Sequence, residues 1–219
     1  MQKAVLFDQD GTLLDSGAGI KHCAILTLQM MHLPLIPYED LDFFIGPPLR
    51  DCFRLCHVPE ERIEEAVRIY RDAYEGKGDG YLEATPYPGI VEMLQHLRSQ
   101  GLKTYVCTSK GKPLAEMILQ SFGLSSLFDG VYGATLDGSL ATKPEIIRHC
   151  LVEEKLDTNA LMVGDTVLDL RGAKANRLPF FGVEWGYGDT KQMRQEGATA
   201  LLSSVAELEK AILSWNKND

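Results

Sequence analysis

Asp8-Gln9-Asp10-Gly11-Thr12-Leu13 follows directly after the apolar run Ala4-Val5-Leu6-Phe7. This order predicts a buried strand that ends in two carboxylates separated by one residue. Ligands of open parallel α/β sheets bind at the carboxyl ends of strands, and residues two apart in an extended segment point to the same side. We therefore expect Asp8 and Asp10 to face one pocket, where two acids require a metal ion or a proton between them. The alternative is an Asx turn that only closes the strand.

The composition is that of an ordinary globular protein. The chain has 219 residues, of which 45% are hydrophobic and 24% charged, which fits one domain or a core with an inserted unit. The net charge is −9 and no block of consecutive Lys or Arg occurs. Nucleic acid and an anionic membrane surface are therefore not expected as partners. A small anionic substrate stays possible because a bound divalent cation can outweigh the overall charge locally.

The cysteines and the N-terminus indicate where the protein works. Five cysteines, an odd number without a CxxC pair, favour a reducing compartment over a disulfide framework. Cys52, Cys56 and His57 lie close together, so zinc is an alternative, but no second ligand pair follows at a suitable spacing. The acidic residues at 8 and 10 interrupt the first apolar stretch, so no signal peptide is expected. No run reaches the ~18 apolar residues of a membrane span, and we expect a soluble, cytoplasmic protein.

Short apolar runs alternate with helical patterns along most of the chain. Helical periodicity around Ile90–Leu97, Leu114–Phe122 and Ile146–Leu151 separates the runs. The runs are Ala4–Phe7, Thr104–Cys107, Leu161–Val163 and Phe180–Val183, with weaker ones at Gly130–Tyr132 and Ala200–Leu202. The alternation predicts an α/β fold, a three-layer Rossmann-like core whose parallel sheet is covered by helices on both faces.

Residues 16–85 interrupt this alternation. The segment reads as helices only, at Ile20–Met31, Tyr38–Phe44, Leu49–Cys56 and Pro59–Glu75. We expect an inserted α-helical cap domain over residues 16–85, and a catalytic core formed by residues 1–15 and 86–219. A helical module at this point of the chain would lie over the carboxyl ends of the strands, in the position of a lid.

Three further polar clusters lie at the ends of predicted strands. Thr108-Ser109-Lys110 follows one strand, Lys143 precedes Pro144 and a helix, and Gly164-Asp165 follows another strand with Asp169 one turn later. Each has a simpler interpretation. Thr108, Ser109 or Asp165 could be a helix N-cap, Lys143 a surface cation, and Asp169 a solvated helix residue. Their common location at one edge of the sheet favours a single site instead.

Together these residues supply what phosphoryl transfer requires. Carboxylates bind a hard divalent cation such as magnesium through oxygen. A hydroxyl and a helix N-terminus can hold phosphate oxygens. A lysine offsets charge, and one carboxylate can attack phosphorus to form an acyl phosphate. The chain lacks the GxSxG and GxxxxGK[ST] motifs, which argues against a serine hydrolase and a P-loop NTPase.

The chain resembles the haloacid dehalogenase-like phosphohydrolase superfamily over essentially its whole length. The segment from Asp8 to Ser16 looks like its first motif, Thr108 its second, Lys143 its third, and Gly164–Asp169 its fourth. The helical insertion resembles the family's cap, and the pattern is similar to phosphoglycolate phosphatase-like and 5'-nucleotidase-like members. Gln9 departs from the family, which usually has an apolar or aromatic residue there, so the departure concerns local packing more than mechanism.

The resemblance implies catalytic and metal-binding roles. Asp8 is expected to be the nucleophile that forms an aspartyl-phosphate, and Asp10 the general acid and then the base that activates water. Lys143 is expected to stabilise charge on Asp8 and on the phosphate. The implied cofactor is Mg²⁺, held by the Asp8 carboxylate, the Asp10 backbone carbonyl and Asp165, with Asp169 acting directly or through water. An acid at Asp10 favours phosphate-ester chemistry over dehalogenation.

The resemblance also implies residues that contact the phosphate or the rest of the substrate. Gly46-Pro47-Pro48-Leu49-Arg50 resembles a cap loop that reaches toward the active site. The expected phosphate- and substrate-binding residues are Gly11, Thr12, Thr108, Ser109, Lys110 and Arg50.

We therefore expect a magnesium-dependent phosphatase, a monomer or a homodimer, that hydrolyses a small phosphorylated metabolite of the phosphoglycolate or nucleoside monophosphate type. One alternative is a β-phosphoglucomutase-like sugar phosphomutase, in which Lys21, Arg50 and Arg54 would hold a second phosphate. The other is a non-catalytic protein that senses phosphate or binds a partner.

Overall fold

The computed structural model describes residues 3–135, 137–156 and 158–217. The chain divides into two compact units, one formed by Met1–Leu14 with Pro86–Asp219 and the other by Asp15–Thr85. Two short strands, β2 (Leu14–Asp15) and β3 (Thr85–Pro86), lie where the chain passes from one unit to the other.

The first unit is built on a six-stranded sheet. Its strands are β1 (Ala4–Phe7), β4 (Lys103–Gly111), β5 (Gly130–Ala134), β6 (Ala160–Gly164), β7 (Phe180–Val183) and β8 (Leu201–Leu202). They follow the order β5-β4-β1-β6-β7-β8, and neighbouring strands run parallel. The chain order therefore reverses on the two sides of β1, and such a switch point is where α/β sheets bind ligands. The predicted α/β fold class is confirmed.

The second unit consists of helices packed around aromatic side chains. Its helices are α1 (Gly17–Met30), α2 (Leu49–Leu55) and α3 (Ile63–Tyr74), with 3₁₀ turns at Tyr38–Phe44, Glu60–Arg62 and Gly80–Glu83. The rings of Phe44, Phe53 and Tyr70 contact one another with centroids 5.2–6.3 Å apart. The segment predicted as a helix from Pro59 to Glu75 begins as a 3₁₀ turn and becomes α-helical only at Ile63.

Helices cover both faces of the sheet in the first unit. They are α4 (Ile90–Ser99), α5 (Lys112–Ser121), α6 (Lys143–Glu153), α7 (Val167–Ala175), α8 (Thr190–Gln195) and α9 (Val205–Lys217). Ala4 and Leu6 of β1 share a hydrophobic core with residues of α6 and α7. Val5 and Phe7 point to the opposite face because side chains alternate along a strand. Both are fully buried, so that face is covered as well.

Strand β4 is longer than the sequence pattern indicates. It continues through Thr108, Ser109 and Lys110 to Gly111, and its pairing with β5 is irregular between Cys107 and Gly111. The residue that caps α5 is Gly111, so the interpretation of Thr108 or Ser109 as a helix N-cap is wrong. None of the helices formed by the described residues combines the length and the apolar composition that crossing a bilayer would require.

Candidate active site

The turn after β1 fixes Asp8 at the carboxyl end of the strand. The Asp8 N–H donates to the Val163 carbonyl at 2.9 Å, which continues the pairing of β1 with β6. The N–H groups of Leu13 and Leu14 both donate to the Gln9 carbonyl at 3.0 Å. This closed turn returns the chain at once, so Asp8 and Asp10 stay at the edge of the sheet.

Gly11 is required by the shape of this turn. Its φ is +76°, and a Cβ added here would lie 2.2 Å from Asp165 Oδ2, so no side chain fits at this position. The Gly11 N–H donates to the Leu14 carbonyl at 2.8 Å. It is thus engaged within the turn, and the contact that we predict between this residue and phosphate requires that bond to open.

Three carboxylates from two strand ends and one helix meet in a buried cluster. Asp8, Asp165 and Asp169 each offer an oxygen atom within 4.8 Å of the others, and each is at most 7% exposed. Burial raises the pKa of Asp8, an effect that Lys143 opposes and Asp169 reinforces. Burial, followed by the charges of Asp169 and Asp8, raises the pKa of Asp165. Both shifts disfavour the ionised carboxylates, and a bound cation would favour them.

Lys143 is the cation inside this cluster. Its Nζ lies 2.7 Å from Asp8 Oδ1 and 2.8 Å from Asp169 Oδ1, and it donates to the Cys107 carbonyl at 3.1 Å. Burial alone would lower the pKa of this ammonium, but Asp169 and Asp8 outweigh burial and hold the pKa above its usual value. The lysine is 4% exposed, so its interpretation as a surface cation is wrong.

Local sequence signals explain why α6 begins at Lys143. Thr142 is the N-cap and forms a reciprocal capping box with Glu145, whose Oε2 accepts from the Thr142 N–H at 3.0 Å. Pro144 follows in the first turn, where a missing N–H costs nothing. The helix start therefore lies at the sheet edge, and its first residue points its side chain into the carboxylate cluster.

Asp169 is buried and uses both of its carboxyl oxygens. Oδ2 accepts from the Thr166 N–H at 3.0 Å and from the Thr166 hydroxyl at 2.7 Å, which forms the capping box of α7. Oδ1 faces Lys143. Asp169 is 0% exposed, so the interpretation as a solvated helix residue is wrong. It orients the lysine and fixes the start of α7 at the same time.

Asp165 is held from two sides by residues far apart in the sequence. The Thr12 hydroxyl donates to Oδ1 at 3.1 Å, and the Tyr187 N–H donates to Oδ2 at 2.9 Å. A Cβ at Gly186 would come within 2.3 Å of the Asp165 Cβ. The cap of α7 is Thr166, so the interpretation of Asp165 as an N-cap is wrong.

Trp185 is a supporting residue that the sequence did not reveal. Its indole N–H donates to the Thr12 carbonyl at 3.2 Å, and its ring packs edge-on against Tyr87. The sequence feature that could have indicated this contact is Gly186-Tyr187-Gly188, directly after Trp185. Glycines near a strand end often mark a place where another segment comes close to the backbone. The segment 185–187 thus supports both Thr12 and Asp165.

Asp10 lies outside the three-carboxylate group and has its own cation. Lys110 Nζ is 3.2 Å from Asp10 Oδ2, and the two side chains are 10% and 13% exposed. The Lys110 N–H donates to the Thr108 hydroxyl at 3.2 Å. Thr108 is buried and Ser109 half-buried in the same strand. The structure thus gives Asp8 and Asp10 different surroundings, as a nucleophile and a proton-transfer group would need.

Arg50 and the clustered cysteines belong to the helical unit. Arg50 forms a two-pronged ion pair with Glu64, with distances of 2.5 and 3.0 Å, and its side chain is 52% exposed. The phosphate contact that we predict for Arg50 would have to replace this pair. Burial raises the pKa of the Cys52 thiol to about 12 and that of Cys56 to about 11. This opposes the thiolate form that zinc requires.

The similarity of this chain to known proteins agrees with the site. A family model described as haloacid dehalogenase-like hydrolase matches residues 5–183. The chain belongs to this family. It is 35% identical to a 5'-nucleotidase of Pseudomonas aeruginosa over 96% of this chain and 95% of that protein. It is 34% identical to the tyrosine-protein kinase PtkA of Mycobacterium tuberculosis over 95% of this chain and 72% of that protein.

The structural similarity is equally extensive. The crystal structure of a predicted phosphatase from Clostridium acetobutylicum has a TM-score of 0.90 with 35% sequence identity, covering 98% of this chain and all of that one. Together with the family match, these similarities confirm the enzyme class predicted from the sequence, a phosphoric monoester hydrolase.

Proposed function

We propose that this chain is a magnesium-dependent phosphatase that hydrolyses a small-molecule phosphomonoester through an aspartyl-phosphate on Asp8. The observation that carries the proposal is the position of Lys143, whose buried ammonium lies 2.7 Å from Asp8 and 2.8 Å from Asp169. A lysine held in this way stabilises an ionised Asp8 and offsets the charge of an incoming phosphoryl group.

The residues of the cluster fit a divalent metal ion. Three buried carboxylates converge within 4.8 Å, and Lys143 is the cation paired with two of them. Oxygen donors of this kind suit Mg²⁺. The carboxylates of Asp8 and Asp165 and the Asp10 carbonyl would hold the ion, and Asp169 would bind it directly or through a water molecule. When bound, the ion offsets negative charge on the phosphoryl oxygens and so helps the displacement.

The reaction follows from the separate positions of the two aspartates. A carboxylate oxygen of Asp8 attacks phosphorus, the bond to the ester oxygen breaks, and the leaving oxygen takes the proton of Asp10. Asp10 then removes a proton from water, which attacks phosphorus and releases inorganic phosphate and a free Asp8. Thr12 and Thr108 supply buried hydroxyls at this edge of the sheet, and the Lys110 ammonium, 3.2 Å from Asp10 Oδ2, keeps the Asp10 side chain in place.

The substrate class is the finer part of the proposal. We propose a metabolite of the nucleoside monophosphate or phosphoglycolate type, and the 5'-nucleotidase relative makes nucleoside monophosphates the first compounds to test. The phosphomutase alternative needs cations in the helical unit that are free for a second phosphate. Lys21, Arg50 and Arg54 instead pair with Asp42, Glu64 and Glu60, so no observation favours it.

A panel assay with trapping of the intermediate tests this function. Purified protein with Mg²⁺ is given nucleoside monophosphates, phosphoglycolate, pyrophosphate, phosphotyrosine, a sugar phosphate, and ATP with a tyrosine peptide, and released phosphate is ranked by kcat/KM. Acid-quenched samples are digested and searched by mass spectrometry for a phosphoryl group on Asp8. We expect release and trapping in the wild-type protein and neither in Asp8→Ala, while Asp40→Asn, an exposed aspartate, keeps both.

Three results would contradict the proposal. Turnover by pure Asp8→Ala would exclude Asp8 as nucleophile. Isomerised sugar phosphate without net phosphate release would indicate a mutase. Transfer of phosphate to a tyrosine peptide in place of water would indicate a kinase.

A further inference from the structure

A groove apart from the carboxylate cluster lies in the first unit, at the ends of α6 and α7 that are farthest from that cluster. It has a volume of about 480 Å³, and its lining includes Arg148, Leu151, Val152, Lys155, Asn176 and Arg177. Helix α6 begins at Lys143 and ends at Glu153, about 15 Å farther along its axis at 1.5 Å per residue, and Lys155 lies just beyond that end. The groove is therefore separate from the candidate active site.

Helical spacing explains how the groove is lined. Residues 148, 151, 152 and 155 recur every three or four positions, so they occupy one face of α6 and its end. Asn176 and Arg177 follow the last residue of α7. The Asn176 amide donates to the carbonyls of Pro144 and Gly172 at 3.0 and 2.9 Å, which fixes the segment that carries Arg177.

The cations of this groove have no acidic partners among the described residues. Arg148, Lys155 and Arg177 are exposed. No carboxylate belongs to the described lining of the groove. Within the described residues, seven of the ten arginines form ion pairs, at positions 50, 54, 62, 71, 98, 171 and 194. Of the remaining three, Arg68, Arg148 and Arg177, two line this one groove.

Unpaired cations are unexpected on such an acidic protein. With a net charge of −9, carboxylates are abundant enough to pair with most surface cations, yet the three cations of this groove have no carboxylate partner in the part of the chain that the structure describes. Arginine binds phosphate through parallel N–H bonds. Beside the cations, Leu151 is half-buried and Val152 is 66% exposed, which gives an apolar surface for the organic part of a ligand.

We propose that this groove binds a phosphate-rich small molecule of the nucleoside polyphosphate class. Arg148 on α6 and Arg177 just beyond the end of α7 contact the phosphates, and Lys155 adds a third positive charge. Leu151 and Val152 contact the base or sugar. A volume of about 480 Å³ lies within the ~300–1,000 Å³ range of small-molecule sites. The proposal does not depend on the phosphatase mechanism, since none of these residues belongs to the carboxylate cluster.

The competing explanation is that the cations only stabilise the ends of the helices. Cations near helix C-termini interact favourably with the helix dipole, and Lys155 and Arg177 both lie just beyond such ends. That role predicts a loss of thermal stability on substitution and no effect on ligand binding. Binding measured together with thermal unfolding therefore separates the two explanations.

Isothermal titration of ATP into the full chain in EDTA at low ionic strength tests the proposal. EDTA prevents metal-dependent turnover, and adenosine serves as the ligand without phosphate. We expect the double variant Arg148→Glu/Arg177→Glu to bind ATP at least about tenfold more weakly than wild type, because two charge-assisted contacts are replaced by repulsion. Arg68→Glu is the matched control, since Arg68 is the third arginine without an ion pair to a described residue, and it keeps wild-type affinity.

Several results would overturn the proposal. They are no heat of binding in wild type at millimolar ATP, unchanged binding by the double variant, an equal loss in Arg68→Glu, or adenosine binding as tight as ATP. If the double variant does not fold, the single variants Arg148→Gln and Arg177→Gln are each compared with wild type for their affinity for ATP. Wild-type affinity in both would reject the site.

Discussion

The indole N–H of Trp185 donates to the backbone carbonyl of Thr12 at 3.2 Å, although 173 residues separate them. Thr12 in turn donates its hydroxyl to Asp165, whose other oxygen accepts from Tyr187. One short segment after β7 therefore supports the turn after β1 and a candidate metal ligand together. The position of Asp165 thus depends in part on Trp185 and Tyr187, to which the proposed reaction assigns no role.

Removal of this indole donor should weaken metal binding. Trp185→Phe keeps an aromatic ring against Tyr87 but loses the N–H, and one hydrogen bond contributes about 1 kcal/mol. We expect the Kd for Mg²⁺, measured by calorimetry without substrate, to rise by about fivefold. Trp215→Phe is the matched control because Trp215 lies on α9. An unchanged Kd in Trp185→Phe would show that Thr12 is positioned without the indole.

Loss of Lys143 should affect both rate and stability. Lys143→Ala should lower kcat by on the order of 10²-fold or more, as is typical when a preorganised charge is removed. It also leaves Asp8 and Asp169 without their cation, which costs about 3–5 kcal/mol when a buried pair is broken. Urea unfolding and steady-state kinetics measure the two effects.

Lys112 is a matched control for this substitution. It also begins a helix and precedes a proline, but its side chain is 52% exposed. Lys112→Ala should retain the rate and the stability of wild type. A Lys143→Ala variant with wild-type kinetics would remove the lysine from the mechanism, even if its stability is reduced.

Chelation should stop turnover and also change stability. Three buried carboxylates share the cluster with one lysine, so a divalent cation relieves repulsion only in the folded protein and stabilises it by mass action. We expect EDTA to abolish phosphate release, added Mg²⁺ to restore it, and saturating Mg²⁺ to raise the Tm. Activity that persists in EDTA after dialysis would exclude a metal-dependent mechanism.

The dependence of stability on pH can be predicted for Asp129, which lies outside the carboxylate cluster. Burial would raise its pKa, but hydrogen bonds from Lys103, the Thr104 N–H and Arg98 outweigh burial and lower it. A lowered folded-state pKa contributes stability above the unfolded value of about 3.9, and that contribution is lost as the pH falls below it. Asp129→Asn should therefore cost about 1–3 kcal/mol at neutral pH and progressively less in acid.

Urea unfolding of Asp129→Asn and wild type from neutral pH down to acid measures this difference. Asp40→Asn provides the control, since Asp40 is an exposed aspartate. A difference between Asp129→Asn and wild type that does not shrink as the pH falls would mean that the charge of Asp129 is not its source.

Local sequence signals predicted the strands and helix starts that create the site. The apolar run before Asp8 gave β1 with its observed ends. The capping box at Thr142 and Glu145 explains why a helix begins at Lys143. These features depend on neighbouring residues, so one sequence is enough to recognise them.

Contacts between distant segments could not be predicted in the same way. The sequence gives no sign that Trp185 reaches Thr12 or that Arg50 pairs with Glu64. It also does not show that Asp169 points one oxygen at Lys143 and the other at Thr166. Such pairings depend on how the helices and strands pack. Each residue could have paired with several chemically equivalent groups elsewhere in the chain, so the sequence does not identify the partner.

Gln9 gives the last prediction, because its buried amide has no compensating contact among the described residues. The residue is 0% exposed, and neither Nε2 nor Oε1 has a hydrogen-bond partner. An unsatisfied buried amide costs about 1–3 kcal/mol. Gln9→Leu removes that cost at similar volume and should raise the Tm by about 2–12 °C, at about 2–4 °C for each kcal/mol in a chain of this size.

The matched control for Gln9→Leu is Gln120→Leu, an exposed glutamine on α5. That substitution should leave the Tm within about 1 °C of wild type, because surface changes are small. Scanning calorimetry of both variants measures the difference. A lower Tm for Gln9→Leu would mean that the amide is hydrogen-bonded in solution, and that its polarity supports the turn between the two aspartates.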